Sequence, residues 1–110
     1  MLYRRKQYTI NPEMYDTFNH FFYTYLLPNQ LTHGAKLIGR WGNESKTEIL
    51  AIWAYQDRAD YERVDAAIRA SDLHVTAQNY RKTLPPLFVT SSEGFMESTG
   101  NYSISNENLL

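Results

Sequence analysis

The sequence predicts an α+β domain: one four-stranded antiparallel sheet with its helices on a single face. Three observations carry that prediction. Segments of strand and helix character follow one another as β-α-β-β-α-α-β, the order of a split β-α-β unit. Each of the two principal helical segments has one apolar stripe, so each has one face to bury. The second and third strands are joined by the short polar run Asn43-Glu44-Ser45-Lys46, as in a hairpin.

Tyr3 to Ile10 reads as the first strand, rich in β-favouring Tyr, Thr and Ile around a basic middle. Neither alternating face is apolar throughout. Tyr3, Arg5, Gln7 and Thr9 share one, and Arg4, Lys6, Tyr8 and Ile10 share the other, so the strand is a poor fit between two apolar layers. Asn11-Pro12-Glu13 starts a helix, with Asn11 as N-cap, Pro12 at the first helical position and Glu13 facing the positive dipole end. Met14, Phe18, Phe21, Phe22, Tyr25 and Leu26 form its stripe. Pro28 should kink or end it. Ala35 to Gly42 and Thr47 to Gln56 are the next strands, and the second of these is apolar on both faces, hence central. A four-residue loop would set Gly42 opposite Thr47. Leu37, Gly39, Leu50 and Ile52 then share one face, and Ile38, Arg40, Ile49, Ala51 and Trp53 the other.

Asp57 is the expected N-cap of a helix reaching Ala70, with Tyr61, Val64, Ala67 and Ile68 inward and the pair Asp65 and Arg69 outward. After a break at Ser71-Asp72, a shorter helix runs from Leu73 to about Lys82, and Pro85-Pro86 forbids its continuation. Leu87 to Met96 is the fourth strand, with Leu87, Val89 and Phe95 as its firmest apolar positions. Residues 1–96 thus make one domain. The tail from Glu97 to Leu110, rich in Ser, Asn and Gly, is expected to be disordered or laid over a partner subunit.

Composition narrows the function classes. Eleven Lys and Arg against twelve Asp and Glu remove the basic surplus of a general nucleic-acid binder. No apolar run approaches the ~18 residues of a membrane span, and the basic start Arg4-Arg5-Lys6 has no apolar segment behind it, so a secretory signal is not expected. A soluble, cytoplasmic protein is the expectation. The absence of cysteine excludes disulfides, thiolate catalysis and cysteine-based zinc sites. Sixteen aromatic residues (nine Tyr, five Phe, two Trp) are more than one small core needs.

The element order is that of ferredoxin-like folds. With both helices on one sheet face, the opposite face still carries large side chains of the third strand, Trp53 among them under the register above. An exposed apolar face of this kind usually marks an interface. A second copy packed sheet to sheet about a two-fold axis would cover it, and residues of the inner faces would enclose a cavity.

Here the chain resembles the NIPSNAP-type members of the dimeric α/β-barrel superfamily. The likeness rests on Tyr3-Arg4-Arg5-Lys6-Gln7-Tyr8-Thr9-Ile10-Asn11-Pro12, His33-Gly34, Leu37-Ile38-Gly39-Arg40-Trp41, Leu50-Ala51-Ile52-Trp53-Ala54-Tyr55 and Phe95-Met96-Glu97-Ser98. It implies a ferredoxin-like sheet and a homodimer closing into an α/β barrel. The family has no general reaction to lend. The chain departs from the family's first strand at Arg4 and Lys6, and from its second helical region near Leu73-His74-Val75, so ligand identity does not carry over.

Motifs for chemistry are sparse. No histidine pair has the i, i+4 spacing or HExxH pattern that zinc needs, so neither metal nor cofactor is expected. His20 lies opposite the apolar stripe and should face solvent. His33, beside Gly34, suits a helix-end contact. His74 is the one candidate proton carrier, though an exposed helix-start position fits it as well. What remains is an aromatic and basic set: Arg4, Lys6, Tyr8, Arg40, Trp53 and Tyr55. On inner faces they would line an apolar pocket with a few cations, suited to an anionic ligand with a flat or apolar body. Trp53 as core, with Arg4 and Lys6 in rim ion pairs, is the competing expectation. Two function classes follow. One is a homodimeric small-molecule-binding or interaction module; the other is a cofactor-independent monooxygenase- or isomerase-like enzyme acting on an aromatic substrate, with Arg40 anchoring an anion and Trp53 stacking.

Overall fold

A computed structural model describes residues 1–102. The expected polar tail lies mostly outside the described residues, at 103–110. Four strands, β1 (Leu2–Thr9), β2 (Lys36–Gly42), β3 (Glu48–Tyr55) and β4 (Thr90–Glu97), form one antiparallel sheet in the order β2-β3-β1-β4. The chain rises from β1 through a 3₁₀ turn, Pro12–Met14, into α1 (Tyr15–Phe21), a π-type segment Phe22–Leu26, and α2 (Leu27–Thr32). After the β2–β3 hairpin come α3 (Arg58–Arg69) and α4 (Asp72–Arg81). This is the ferredoxin-like α+β arrangement that the element order predicts.

The helix stripes dock as their spacing requires. Phe18, Phe21 and Phe22 are buried from the first helix and Val64 from α3. Fully burying a side chain such as Phe18 contributes about 2–3 kcal/mol. One hydrophobic cluster joins Ile10, Phe18, Phe21, Ile49, Ala77 and Leu87, and a second joins Phe22, Ala35, Trp53, Tyr55 and Val64. Asp57 caps α3 by accepting from the Asp60 backbone N–H at 2.8 Å, and Ser71 caps α4 by accepting from that of His74 at 3.2 Å. At Asn11 the backbone is extended, as at an N-cap, but its side chain makes no capping bond; its carbonyl accepts from Met14 instead.

Four details differ from the sequence-based expectation. Pro28 neither ends nor breaks its helix. The π-type segment before it lets the Leu27 N–H reach the Phe22 carbonyl, five residues back, and this wider turn makes room for the ring. Gly42 pairs with Ile49 rather than Thr47, a shift of two that keeps most side chains on the expected faces. A bulge between Leu37 and Gly39 then turns Leu37 to the face of Trp53. β4 starts at Thr90, later than expected: Leu87 enters the core from irregular chain, and Val89 is 62% exposed.

The largest correction concerns which face points where. Ile49, Ala51 and Trp53 of β3 look toward the helices together with Arg40, so Trp53 is not on the open side. Trp53 is buried, its ring centroid 5.9 Å from that of Phe22. The open face carries Tyr3, Leu50, Ile52, Trp41 and Met96, with Trp41 53% exposed and its ring folded over Gly39. A Cβ at Gly39 would collide with that ring. An apolar open face therefore exists, but through residues other than Trp53.

Candidate functional site

Residues paired across an antiparallel sheet share a face. On the helix side this produces three rows across the strands: Leu37–Trp53–Arg4–Phe95, then Arg40–Ala51–Lys6–Glu93, then Gly42–Ile49–Tyr8–Ser91. The middle row is the unusual one. It carries two cations and a carboxylate, with Ala51 as its only apolar side chain. A methyl group there cannot fill the space between sheet and helices, and a cavity of about 310 Å³ opens above it.

Arg4, Lys6, Tyr8, Arg40, Ala51 and Trp53 form the sheet side of this cavity. Phe22, Leu26 and Gln30 close it from the first helical leg, Asp65, Ile68 and Arg69 from α3, and His74 and Gln78 from α4. The cavity is open to solvent on one side. Its place differs from the sequence-based expectation, because it lies between the sheet and the chain's own helices, where the strand side chains point. Five of the six expected pocket residues meet there, and His74 joins them. Tyr55 does not. It is buried beside the Tyr61 ring, 5.2 Å between centroids, with its hydroxyl 3.4 Å from Gln30 Oε1. His20 is exposed, and His33 Nδ1 lies 2.8 Å from the Asn29 carbonyl, a helix-end contact.

Sequence reasoning missed the helix-borne half of the lining. It put Asp65 and Arg69 on the outer side of α3, yet both border the cavity, joined by an ion pair of 2.9 Å. Their neighbour Ile68 belongs to the inner stripe, and that adjacency was the available signal. Glu93 was also missed, because its role depends on pairing with β1, which no local pattern reveals.

The cations differ in how they are balanced. Arg4 gives two hydrogen bonds to Glu93 Oε2, from Nε at 3.0 Å and Nη2 at 2.8 Å. Burial works most strongly against its charge, but the hydrogen bond and charge of Glu93 together with the nearby Tyr61 and Tyr55 outweigh it and hold its pKa above the ordinary value. On Glu93, burial pushes upward and the hydrogen bond and charge of Arg4, helped by Lys6, pull its carboxyl below the ordinary value. Lys6 Nζ is 3.6 Å from the same oxygen. Burial first, and Arg4 second, lower the Lys6 pKa. Tyr8 is raised by burial, so its phenol is a donor at neutral pH.

Arg40 has no carboxylate partner among the described residues. Its Nη1 donates to Asn19 Oδ1 at 2.7 Å, and its guanidinium carbon stands 4.1 Å from the Phe22 ring centre and 5.1 Å from that of Phe18. Its Nη2 is buried with no hydrogen-bond partner, and burial lowers its pKa. Stacking on aromatic faces compensates a cation only in part.

Other depressions offer less chemistry. A groove of about 520 Å³ beside Pro85, Pro86 and Phe88 has Glu13 as its one charged side chain. Among the described residues no group of three or more His, Asp or Glu side chains converges as metal ligands would, and no helix is long and apolar enough to cross a membrane.

A ferredoxin-like sheet holding a polar cavity under its own helices is the class of protein that this geometry defines. The NIPSNAP family model matches residues 3–97, and the chain belongs to that family. Among solved structures it is similar to an uncharacterised NIPSNAP domain protein from Burkholderia xenovorans, at 17% identity and TM-score 0.77, covering 94% of this chain and 100% of that one. It is also similar to a NIPSNAP family protein with unknown function from Agrobacterium tumefaciens, at 18% identity and TM-score 0.73, covering 87% and 86%. An antibiotic biosynthesis monooxygenase is similar at 14% identity and TM-score 0.61, covering 91% and 100%. At these identities the likeness concerns the fold. No curated protein was found to match.

Proposed function

We propose that this NIPSNAP protein is a small-molecule-binding module that works as a homodimer, and that its ligand is a small anion with a flat or apolar body. The observation that carries this is Arg40: a cation at the wall of a solvent-connected cavity, stacked on Phe22, with one guanidinium nitrogen unbonded and no carboxylate beside it among the described residues. A buried polar group without a partner is costly, and a small shift of the guanidinium toward the cavity would let an anion there offset that cost. Trp53, Phe22, Leu26 and Ile68 supply the apolar part of the lining. The apolar open face, with Trp41 and Met96 exposed, supports a second copy as its cover. A cytoplasmic setting fits the absence of cysteine.

Calorimetric titration with 1-naphthoate tests the ligand class. Saturable binding is expected, with Arg40→Ala weakening it by about tenfold or more. Equal affinity for both proteins would remove Arg40 as anchor, and no binding of any aromatic carboxylate would end the proposal.

One observation favours a catalytic role as second reading: Tyr8, Arg4 and His74 line one solvent-connected void. A cofactor-independent oxygenation or isomerisation of an aromatic substrate would use the cavity to orient a molecule that brings its own reactivity. Oxygen consumption on addition of reduced polyphenols checks it, and no consumption above the uncatalysed rate excludes the oxygenase form.

A further inference from the structure

We infer that Lys6 is a carbonyl-capturing amine, and that the cavity takes a 2-oxo carboxylate whose carbonyl carbon reaches Lys6 while its carboxylate is held by Arg40. This rests on the small-molecule-binding reading above and names its substrate class. Lys6 and Arg40 occupy one sheet row on either side of Ala51, with Cα atoms roughly 10 Å apart given the spacing of strands. Both side chains line the same void. Lys6 Nζ is turned toward Glu93, on the side of β1 away from Arg40, so it meets a ligand held by Arg40 by swinging across Ala51.

The surroundings of Lys6 differ from those of the three other lysines. Lys36, Lys46 and Lys82 are exposed. Lys6 is half-buried in the cavity wall, beside the Arg4 guanidinium. Its natural counter-ion is already engaged: Glu93 Oε2 takes both short hydrogen bonds from Arg4 and stands 3.6 Å from Lys6 Nζ. Desolvation and a neighbouring cation are the two influences that make a lysine nucleophilic, and both lower the Lys6 pKa. Arg40, with no carboxylate partner among the described residues and Nη2 unbonded, is the anion anchor that a charged carbonyl compound needs.

The chemistry balances without any further reactant. The neutral Lys6 nitrogen gives its lone pair to the carbonyl carbon, and the carbonyl oxygen takes up a proton to form a carbinolamine. Loss of that oxygen together with two hydrogens, as one water, leaves the C=N bond. Glu93, 3.6 Å from the nitrogen, is placed to pass the amine's surplus proton to solvent.

Reductive trapping tests this. The full chain is incubated with benzoylformate and sodium cyanoborohydride, and adducts are mapped by peptide mass spectrometry. Benzoate, which lacks the ketone, and acetophenone, which lacks the carboxylate, serve as control probes. The expected result is a reduced adduct on Lys6 in preference to Lys36, Lys46, Lys82 and the N-terminal amine. It should be absent in Lys6→Arg and slower by about tenfold in Arg40→Ala and with acetophenone. Thermal melts of both variants establish that they fold, and Lys6→Met provides a second check should Lys6→Arg not. Benzoylformate that binds but gives no Lys6 adduct, or labelling spread over the surface lysines, overturns the inference and leaves the binding proposal standing. If neither benzoylformate nor benzoate binds, both fall together.

Discussion

Lys6 and Arg40 pair with the same residue, Ala51, from its two sides. One row of the sheet therefore carries two cations separated by a methyl group, directly beneath the helices. The void exists because that methyl is small, and its charge exists because its neighbours are basic. β1 lies between β3 and β4, yet it can afford Arg4 and Lys6 on its helix side because the layers part above them.

Ala51→Leu follows from this relationship. The larger side chain would rise into the cavity and displace a ligand from between Lys6 and Arg40. Calorimetry should show loss of 1-naphthoate binding in a protein that still melts cooperatively. Unchanged affinity would place the ligand elsewhere.

Trp53 holds the cavity's inner wall rather than its mouth. Trp53→Ala should therefore destabilise the fold by about 3–5 kcal/mol, measured by urea unfolding. Trp53→Phe, which keeps an aromatic face against Phe22, should lose considerably less. A marginal effect of the alanine variant would contradict its burial.

The Arg4–Glu93 pair makes stability depend on pH in one direction. The Glu93 pKa lies below its ordinary value of 4.5 in the folded chain, so its contribution is complete above that value and is lost as pH falls through the folded-state pKa. With its side chain 38% exposed, screening limits the contribution to about 1 kcal/mol. Glu93→Gln should lower Tm at neutral pH, with the gap to the parent chain closing below the carboxylate range. A gap that persists in acid would assign the effect to packing.

The open sheet face should determine the oligomeric state. Trp41→Glu places a charge where Trp41 now stands 53% exposed beside Leu50. Light scattering after gel filtration is expected to show a dimer for the parent and a monomer for the variant. A parent chain that is monomeric at micromolar concentration would refute the sheet-to-sheet homodimer.

Ser71 links three elements through one hydroxyl. It accepts from His74 N–H and from Asn29 Nδ2 at 2.9 Å, and donates to the Ile68 carbonyl at 2.6 Å. Ser71→Ala should cost about 1–2 kcal/mol, the sum of a lost cap and a stranded, buried Asn29. Chemical denaturation measures it, and a loss within ±0.5 kcal/mol would mean Asn29 finds another partner.

Much of this molecule was written in local patterns. The Phe18–Phe21–Phe22 stripe, the Asp57 cap, the hairpin and the doubly apolar β3 specify elements whose order admits the ferredoxin-like arrangement, because periodicity and capping act within a few residues. The basic and aromatic set named five lining residues for the same reason: strand alternation alone puts Arg4, Lys6 and Tyr8 on one face. What the patterns lacked was direction. The bulge at Leu37–Gly39 and the two-residue shift at Gly42 depend on how β2 meets β3, and the π-type turn on the backbone rearranging around Pro28.

The sequence by itself determined the elements, their order and the unusual charge of β1, since these follow from short-range propensity and the 2.0 and 3.6 residue periods. Only the tertiary structure decided that the charged face looks inward, that Glu93 answers Arg4 across the sheet, that Asp65 and Arg69 edge the cavity, and that Tyr55 stays outside it. Those outcomes depend on which surfaces meet once sheet and helices pack, a long-range choice in which desolvation of each cation is weighed against the partners it happens to find.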